Sequence, residues 1–243
     1  MRVLLVSDVH GNVVALEAVL AASPPFDALW NLGDTVGYGP RPAECLALLR
    51  DRGAAPMLAG NHDLAAVGKL DLAEFNSAAR LAARWTAGRL APADREALAN
   101  LPSATTVDGF TLAHGSPRGP VWEYVLDAAT ATAQFDHFRT SVCFIGHTHV
   151  ALRAFSNGGS KRAVIKPLRP EETVDLSAGR QLVNPGSVGQ PRDGDPRAAF
   201  TTIDTERGIL VAHRVPYDVG VTQRQMEEAA LPPSLIARLA RGI

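Results

Sequence analysis

With only two cysteines in 243 residues and no Cys-x-x-Cys spacing, this chain lacks a disulfide framework, a cysteine zinc site and a redox motif. Cys45 and Cys143 lie in apolar contexts, one helix-like and one strand-like, and read as buried thiols of a cytosolic protein. Neither sign of charge is in excess, since 24 Lys+Arg face 25 Asp+Glu. That balance excludes a nucleic-acid-binding stripe and an acidic tail, so any anionic ligand must be attracted locally. No run approaches the roughly 20 apolar residues of a membrane span. The apolar stretch from Val3 is too short for a secretory signal. The expectation is a soluble, cytoplasmic protein with one α/β domain over residues 1–243, because such cores stay single up to about 250 residues.

What is present is a repeated way of ending an apolar run. Val3 to Val6 reads as a short buried strand, and it closes on Ser7-Asp8-Val9-His10-Gly11-Asn12. A strand therefore delivers Asp8 and His10 to its carboxyl end, where open α/β sheets place their ligand crevices. On extended backbone a carboxylate and an imidazole two residues apart point the same way, so both reach one divalent ion. Taken alone, the pair reads equally well as an Asx cap and a surface histidine.

Four further runs end alike. Leu29 to Leu32 closes on Gly33-Asp34, and Pro56 to Ala59 closes on Gly60-Asn61-His62-Asp63. Phe110 to Ala113 leads into His114-Gly115, and Val142 to Ile145 into Gly146-His147-Thr148-His149. Five of the seven histidines stand at these endings. Scattered structural histidines have no reason to gather there. His137 and His213 lack such context and read as structural or solvent-facing.

In that order, Asp-x-His, Gly-Asp, Gly-Asn-His-Asp, His-Gly and Gly-His-Thr-His resemble the signature of the calcineurin-like metallophosphoesterases, over roughly residues 1 to 217 and without a substitution at a ligand position. The nearest likeness is to small bacterial phosphodiesterases and the diadenosine-tetraphosphate-hydrolase-like branch. The resemblance implies an α/β fold, a four-layer α-β-β-α sandwich of two mixed sheets flanked by helices. It also implies two divalent transition-metal ions. Asp8, His10 and His149 would bind the first, Asn61, His114 and His147 the second, and Asp34 would bridge them. Manganese is the expected metal, with iron, nickel, cobalt or zinc as alternatives. A metal-bridging hydroxide would attack phosphorus in line, and His62, oriented by Asp63, would protonate the leaving oxygen. The substrate would be a small or nucleotide-like phosphate ester. Alternatives are a symmetrical dinucleoside polyphosphate, a phosphomonoester or phosphoprotein, and, in a different class, a catalytically idle scaffold for a partner protein.

Other residues beside the endings are candidates for substrate contact. Arg118 and Tyr124 follow His114, and Tyr38 and Arg41 follow Asp34. A structural salt bridge for Arg118 and a packing role for Tyr124 are the competing readings. The stretch from Asn184 to Arg192 is expected to shape the site wall and not to ligate.

Periodicity supplies the elements between. Asn12 caps a helix to about Ala22, which makes Val3 to Asp34 a β-α-β unit, and Pro42 to Arg52 is a second helix. The Pro56 run reads as a third strand. A helical insert spans about 70–101 as two helices broken near Pro92, with its Phe75-Asn76 end approaching the site as a lid. Ala128 to Phe138 reads as helix. Short alternating strands after His149, with a turn at Gly158-Gly159, imply a second, mostly antiparallel sheet. A tail over about 221–243 reads as two short helices around Pro232-Pro233, without readable function.

Overall fold

In the first strand, β1 (Arg2–Val6), successive side chains enter two different cores, as a period of two requires. Val3 and Leu5 face one apolar cluster with Trp30, Leu112, Phe144 and Val183, whereas Leu4 and Val6 face another with Leu16, Val19, Leu49 and Phe200. The first cluster draws on both sheets and is the seam between them. The second lies under the helices. The computed structural model describes residues 1–156 and 162–243, so the expected Gly158-Gly159 turn lies outside the described residues.

The chain continues through α1 (Val13–Ala22), β2 (Ala28–Asn31), α2 (Pro42–Asp51), α3 (Asn61–Ala66), α4 (Ser77–Ala87) and α5 (Pro92–Ala99). Then come β3 (Ala104–Val107), β4 (Phe110–Ala113), α6 (Ala128–Gln134), β5 (Val142–Phe144), β6 (Leu152–Ser156) and β7 (Ala163–Pro167). The remaining elements are β8 (Thr173–Asp175), β9 (Gln181–Asn184), β10 (Ala198–Asp204), β11 (Ile209–Val215), α7 (Val219–Glu228) and α8 (Pro233–Leu239). The strands form two mixed sheets, β2-β1-β10-β11-β8 and β3-β4-β5-β9-β6-β7, with helices outside. The four-layer expectation holds.

The expected separate antiparallel sheet does not. β10, β11 and β8 extend the β1–β2 sheet, whereas β9, β6 and β7 extend the other. Alternation tells which face of a strand is buried, not which strand lies beside it. β9, buried along its whole length, runs parallel to β5. The expected Pro56 strand shrinks to a single bridge between Met57 and Asn31, since the chain turns at Asn61 into α3, a helix absent from the sequence reading. The helix expected to Phe138 stops at Gln134.

Within each sheet the motif-bearing strands share one direction. β1 pairs with β2 in parallel, and β4, β5 and β9 run parallel to one another. Their carboxyl ends therefore open onto one crevice between the sheets. Over it sits a fourth layer of packing in which Tyr38, Phe75, Ala79 and Ala82 meet Met226, Leu235 and Leu239 of the tail. Both cysteines are buried and free. Among the described residues, no helix is long and apolar enough to cross a membrane.

Leu16, fully buried under the β1 sheet, is expected to cost about 2–5 kcal/mol when truncated to alanine. Leu81→Ala, on the exposed face of α4, should stay within about 0.5 kcal/mol. Urea midpoints with unchanged slopes check both.

Candidate metal centre

Backbone hydrogen bonds zip the first two motif loops together. The Asp8, His10 and Gly11 amides donate to the carbonyls of Gly33, Asp34 and Thr35 at 3.0, 2.9 and 2.9 Å. The side chains are aimed by unusual backbone. Asp8, His10, Asp34, His147 and His149 all have positive φ, between 49° and 66°. Such residues typically cost about 1–3 kcal/mol each and persist where the surroundings over-determine them. The extended alternation expected to align Asp8 with His10 is therefore replaced by left-handed turns that achieve the same convergence.

Two groups of potential ligand atoms result, Asp8, His10, Asp34 and His149 in one, and Asp34, His114 and His147 in the other. All of them are buried. His10 Nε2 lies 3.0 Å from His149 Nε2 and 3.6 Å from Asp34 Oδ2, and His149 Nε2 lies 3.4 Å from Asp8 Oδ1. Each ring is held from behind by a backbone carbonyl. His10 Nδ1 meets Val36 O at 3.2 Å, His149 Nδ1 meets Gln190 O at 2.6 Å, and His114 Nδ1 meets Leu32 O at 2.9 Å. A carbonyl accepts only, so it fixes the proton on Nδ1 and leaves Nε2 a bare lone pair. His147 is reversed, with Nε2 at 3.3 Å from Trp122 O and Nδ1 turned inward.

Ring nitrogens and carboxylate oxygens thus face one another at short range. Among the described residues Asp34 Oδ2, Asn61 Oδ1 and His114 Nε2 are buried without a hydrogen-bond partner, although His114 Nε2 is 3.4 Å from Asp34 Oδ2. Orphaned acceptors of this kind are costly unless a cation satisfies them. The donor set, nitrogen and oxygen atoms with one carboxylate common to both groups, fits a pair of divalent transition metals.

The electrostatics are mixed: burial holds His62 down to about 4 and His147 down to about 3, whereas, against burial, the Asp34 charge holds His114 up to about 9. Burial drives His10 and His149 well below the ordinary imidazole value and keeps them neutral. Burial pushes Asp8 up to about 7, against His114 and with the help of the Asp34 charge. Asp34 resists burial because His114, His62 and His10 surround it, and its carboxyl is held well below the usual range.

His62 opens α3, and its amide donates to Asp34 Oδ1 at 2.8 Å. It therefore faces the cavity from the first turn of a helix, not from the extended backbone expected. Its ring lies 4.2 Å from that of Tyr38 and 5.2 Å from that of Phe75, and its buried Nδ1 has no partner. Asp63 does not orient it. Both oxygens of Asp63 accept backbone amides, from Thr35, Val36 and Gly60 at 3.2, 2.9 and 3.0 Å, tying α3 to the Asp34 loop.

A cavity of about 230 Å³ opens over this cluster, lined among others by His62, Phe75, Asn76, Trp122, Tyr124 and Arg192. Tyr38 also lines it, and Tyr124 stacks on His147 at 4.2 Å. Phe75 and Asn76 do approach the site. Arg118 and Arg41 are outside the lining, Arg118 paired with Glu123 and Arg41 with Glu44. The loop from Asn184 to Arg192 supplies wall and support, as expected: Ser187 Oγ donates to Asp8 O at 2.8 Å, and Asn184 to Gly146 O at 2.7 Å.

Asn31 carried no role in the sequence reading, and Gln190 and Arg192 were not singled out within their loop. Asn31 accepts from the Gly33 amide and donates to Thr35, pinning the turn that carries Asp34. Its signal was a polar residue at the end of a buried strand. Gln190 acts partly through a backbone carbonyl, which leaves no residue signature.

The cluster has no room for an extra carbon. A Cβ on Gly60 would stand 2.1 Å from Asp34 Oδ1. Gly60→Ala is expected to displace Asp34 and weaken cobalt(II) binding, followed by absorption, about 10- to 100-fold. Gly88→Ala, whose Cβ would make only ordinary contacts, should leave it unchanged.

Comparison with known proteins agrees with this geometry. The family model of the calcineurin-like phosphoesterase superfamily domain matches residues 1–208. A metallophosphoesterase of known structure from Sphaerobacter thermophilus is 45% identical, with a TM-score of 0.91 over 100% of this chain and 99% of its own. An uncharacterized protein of Methanocaldococcus jannaschii is 31% identical over 98% of this chain and 97% of its own length. A shorter match, 46% identical over 68 residues, joins 26% of this chain to 24% of the symmetrical bis(5'-nucleosyl)-tetraphosphatase of Pectobacterium carotovorum. With buried Asp and His donors gathered at parallel strand ends and the family model spanning most of its length, the chain belongs to the calcineurin-like phosphoesterase superfamily, a family of metal-dependent phosphoesterases.

Proposed function

We propose that the chain hydrolyses phosphate esters at a dinuclear metal centre, as a phosphodiesterase acting on small or nucleotide-like substrates. The observation that carries this reading is Asp34, whose unpartnered Oδ2 is common to both groups of potential ligands. Asp8, His10 and His149 would hold one ion and Asn61, His114 and His147 the other, with manganese the proposed metal. When bound, the two ions would supply Lewis acidity and a nucleophile derived from water.

The chain's own residues do the rest. The carbonyls of Val36, Leu32 and Gln190 hold the imidazole lone pairs inward. His62, at the cavity floor between Tyr38 and Phe75, delivers a proton to the leaving oxygen. The two aromatic rings limit water access to it.

A second reading, symmetrical dinucleoside polyphosphate hydrolysis, is favoured by the short tetraphosphatase match. The idle-scaffold reading is disfavoured by the seven intact donors.

Bis-p-nitrophenyl phosphate should be hydrolysed with added manganese and not after chelation. Asp34→Asn is expected to lower kcat/KM about 100-fold or more, with elemental analysis finding less bound metal. Full activity without bound metal would sink the reading. His62→Asn should cost about 10²- to 10⁴-fold with alkyl leaving groups and little with nitrophenolate. Equal losses across a leaving-group series would remove His62 as proton donor.

A further inference from the structure

The cavity carries an arginine with no carboxylate ion-pair partner among the described residues. Arg192 lines it, with its guanidinium 5.6 Å from the Tyr38 ring centroid. Arg192 Nη2 donates to Gln190 Oε1 at 3.0 Å, while its buried Nε has no hydrogen-bond partner. The carboxylates that follow it in the chain are committed elsewhere, Asp193 to Arg214 and the Ala151 amide, and Asp195 to Arg197.

The tail brings a second guanidinium to Gln190, the residue that holds Arg192. Arg238, in the last turn of α8, donates to the same Gln190 oxygen at 3.4 Å. The end of the tail is fastened there, since the Gly194 amide donates to Gly242 O at 2.9 Å. Burial, and then the Arg192 charge, push Arg238 below the ordinary guanidinium value. Two cations therefore share one neutral acceptor, and among the described residues neither has a carboxylate partner. Guanidinium forks bind phosphate through paired charge-assisted hydrogen bonds. The cavity is also lined by aromatic side chains, Phe75, Trp122 and Tyr124, the last two 37% and 48% exposed.

Gln190 locates this charge relative to the cluster. Its carbonyl holds His149 Nδ1 at 2.6 Å while its side chain holds both arginines, so they stand beside the Asp8, His10 and His149 group. That position adjoins the group of potential metal ligands and is not part of it. Resting on the hydrolase reading above and narrowing it, we infer that Arg192 and Arg238 form a second phosphate subsite, so that the substrate is a phosphoanhydride or diphosphate ester with a further phosphoryl group beside the reacting one.

The test compares AMP and ADP as inhibitors of bis-p-nitrophenyl phosphate hydrolysis by the full chain, with free manganese held constant and in excess. ADP is expected to bind about 10- to 100-fold more tightly than AMP. Arg192→Met and Arg238→Met should each reduce that ratio toward unity, and Arg192→Lys and Arg238→Lys should restore part of it. Quenching of tryptophan fluorescence by the two nucleotides gives a readout independent of turnover, because Trp122 lines the cavity. Equal affinity for AMP and ADP in the wild type would overturn the subsite, as would equal losses of both in the methionine variants, while leaving the hydrolase reading intact. Arginine-dependent preference for ADP in quenching, in a protein that hydrolyses no ester with any metal, would uphold the subsite and remove the hydrolase reading.

Discussion

Everything in this molecule is arranged around a set of lone pairs that repel one another. Imidazole nitrogens and carboxylate oxygens stand 3.0 to 3.6 Å apart in a buried crevice, with their protons pinned outward to backbone carbonyls. Such a cluster is unfavourable by itself, since each orphaned acceptor has lost its water. The surrounding structure has to hold it. Two zipped loops, a string of left-handed backbone turns and the Asp63 carboxylate under three amides do so. Stability has been set aside locally for a geometry that becomes favourable only with positive charge in its midst.

That necessity explains what was legible beforehand. A ligand must be a nitrogen or oxygen side chain, and it must sit where a strand ends, so residue type and position marked Asp8, Asp34, His114, His147 and His149 as candidates, and the family resemblance gave them roles. The layered sandwich followed from the family resemblance, the β-α pattern by itself giving only the first parallel unit. Less legible was how the chain turns after each strand. Asn61 and His62 follow a run read as a strand, yet Gly60 starts a helix there, and Asp63 serves the loop backbone and not the neighbouring ring. Asp following His in sequence invites pairing, but the unsatisfied amides of a helix start and of a tight loop compete for the same oxygens.

Sheet membership was hidden for a different reason. The strands after His149 carry alternation good enough to reveal their buried faces, but pairing is decided across the whole molecule by which edge remains open. β9 and β10 fill those edges, one in each sheet. Consequently the loop between β9 and β10 runs from one sheet to the other directly beneath the cluster. Support for Asp8 through Ser187, and for His149 through Gln190, comes from this crossing. A tail that seemed mute in sequence closes over the same loop and brings Arg238 with it.

The donors are divided between the layers. Asp8, His10 and Asp34 extend from the sheet of β1 and β2, whereas His114, His147 and His149 extend from the sheet of β4 and β5. A cation seated among them would act as a rivet through the sandwich, adding to the hydrogen bonds that already cross it at that end, such as those from His114 Nδ1 to Leu32 O and from the His147 amide to Asp8. Folding and metal uptake would then be one coupled equilibrium, and the cell's supply of free ions would set how long each copy of the protein survives proteolysis as much as how fast it turns over.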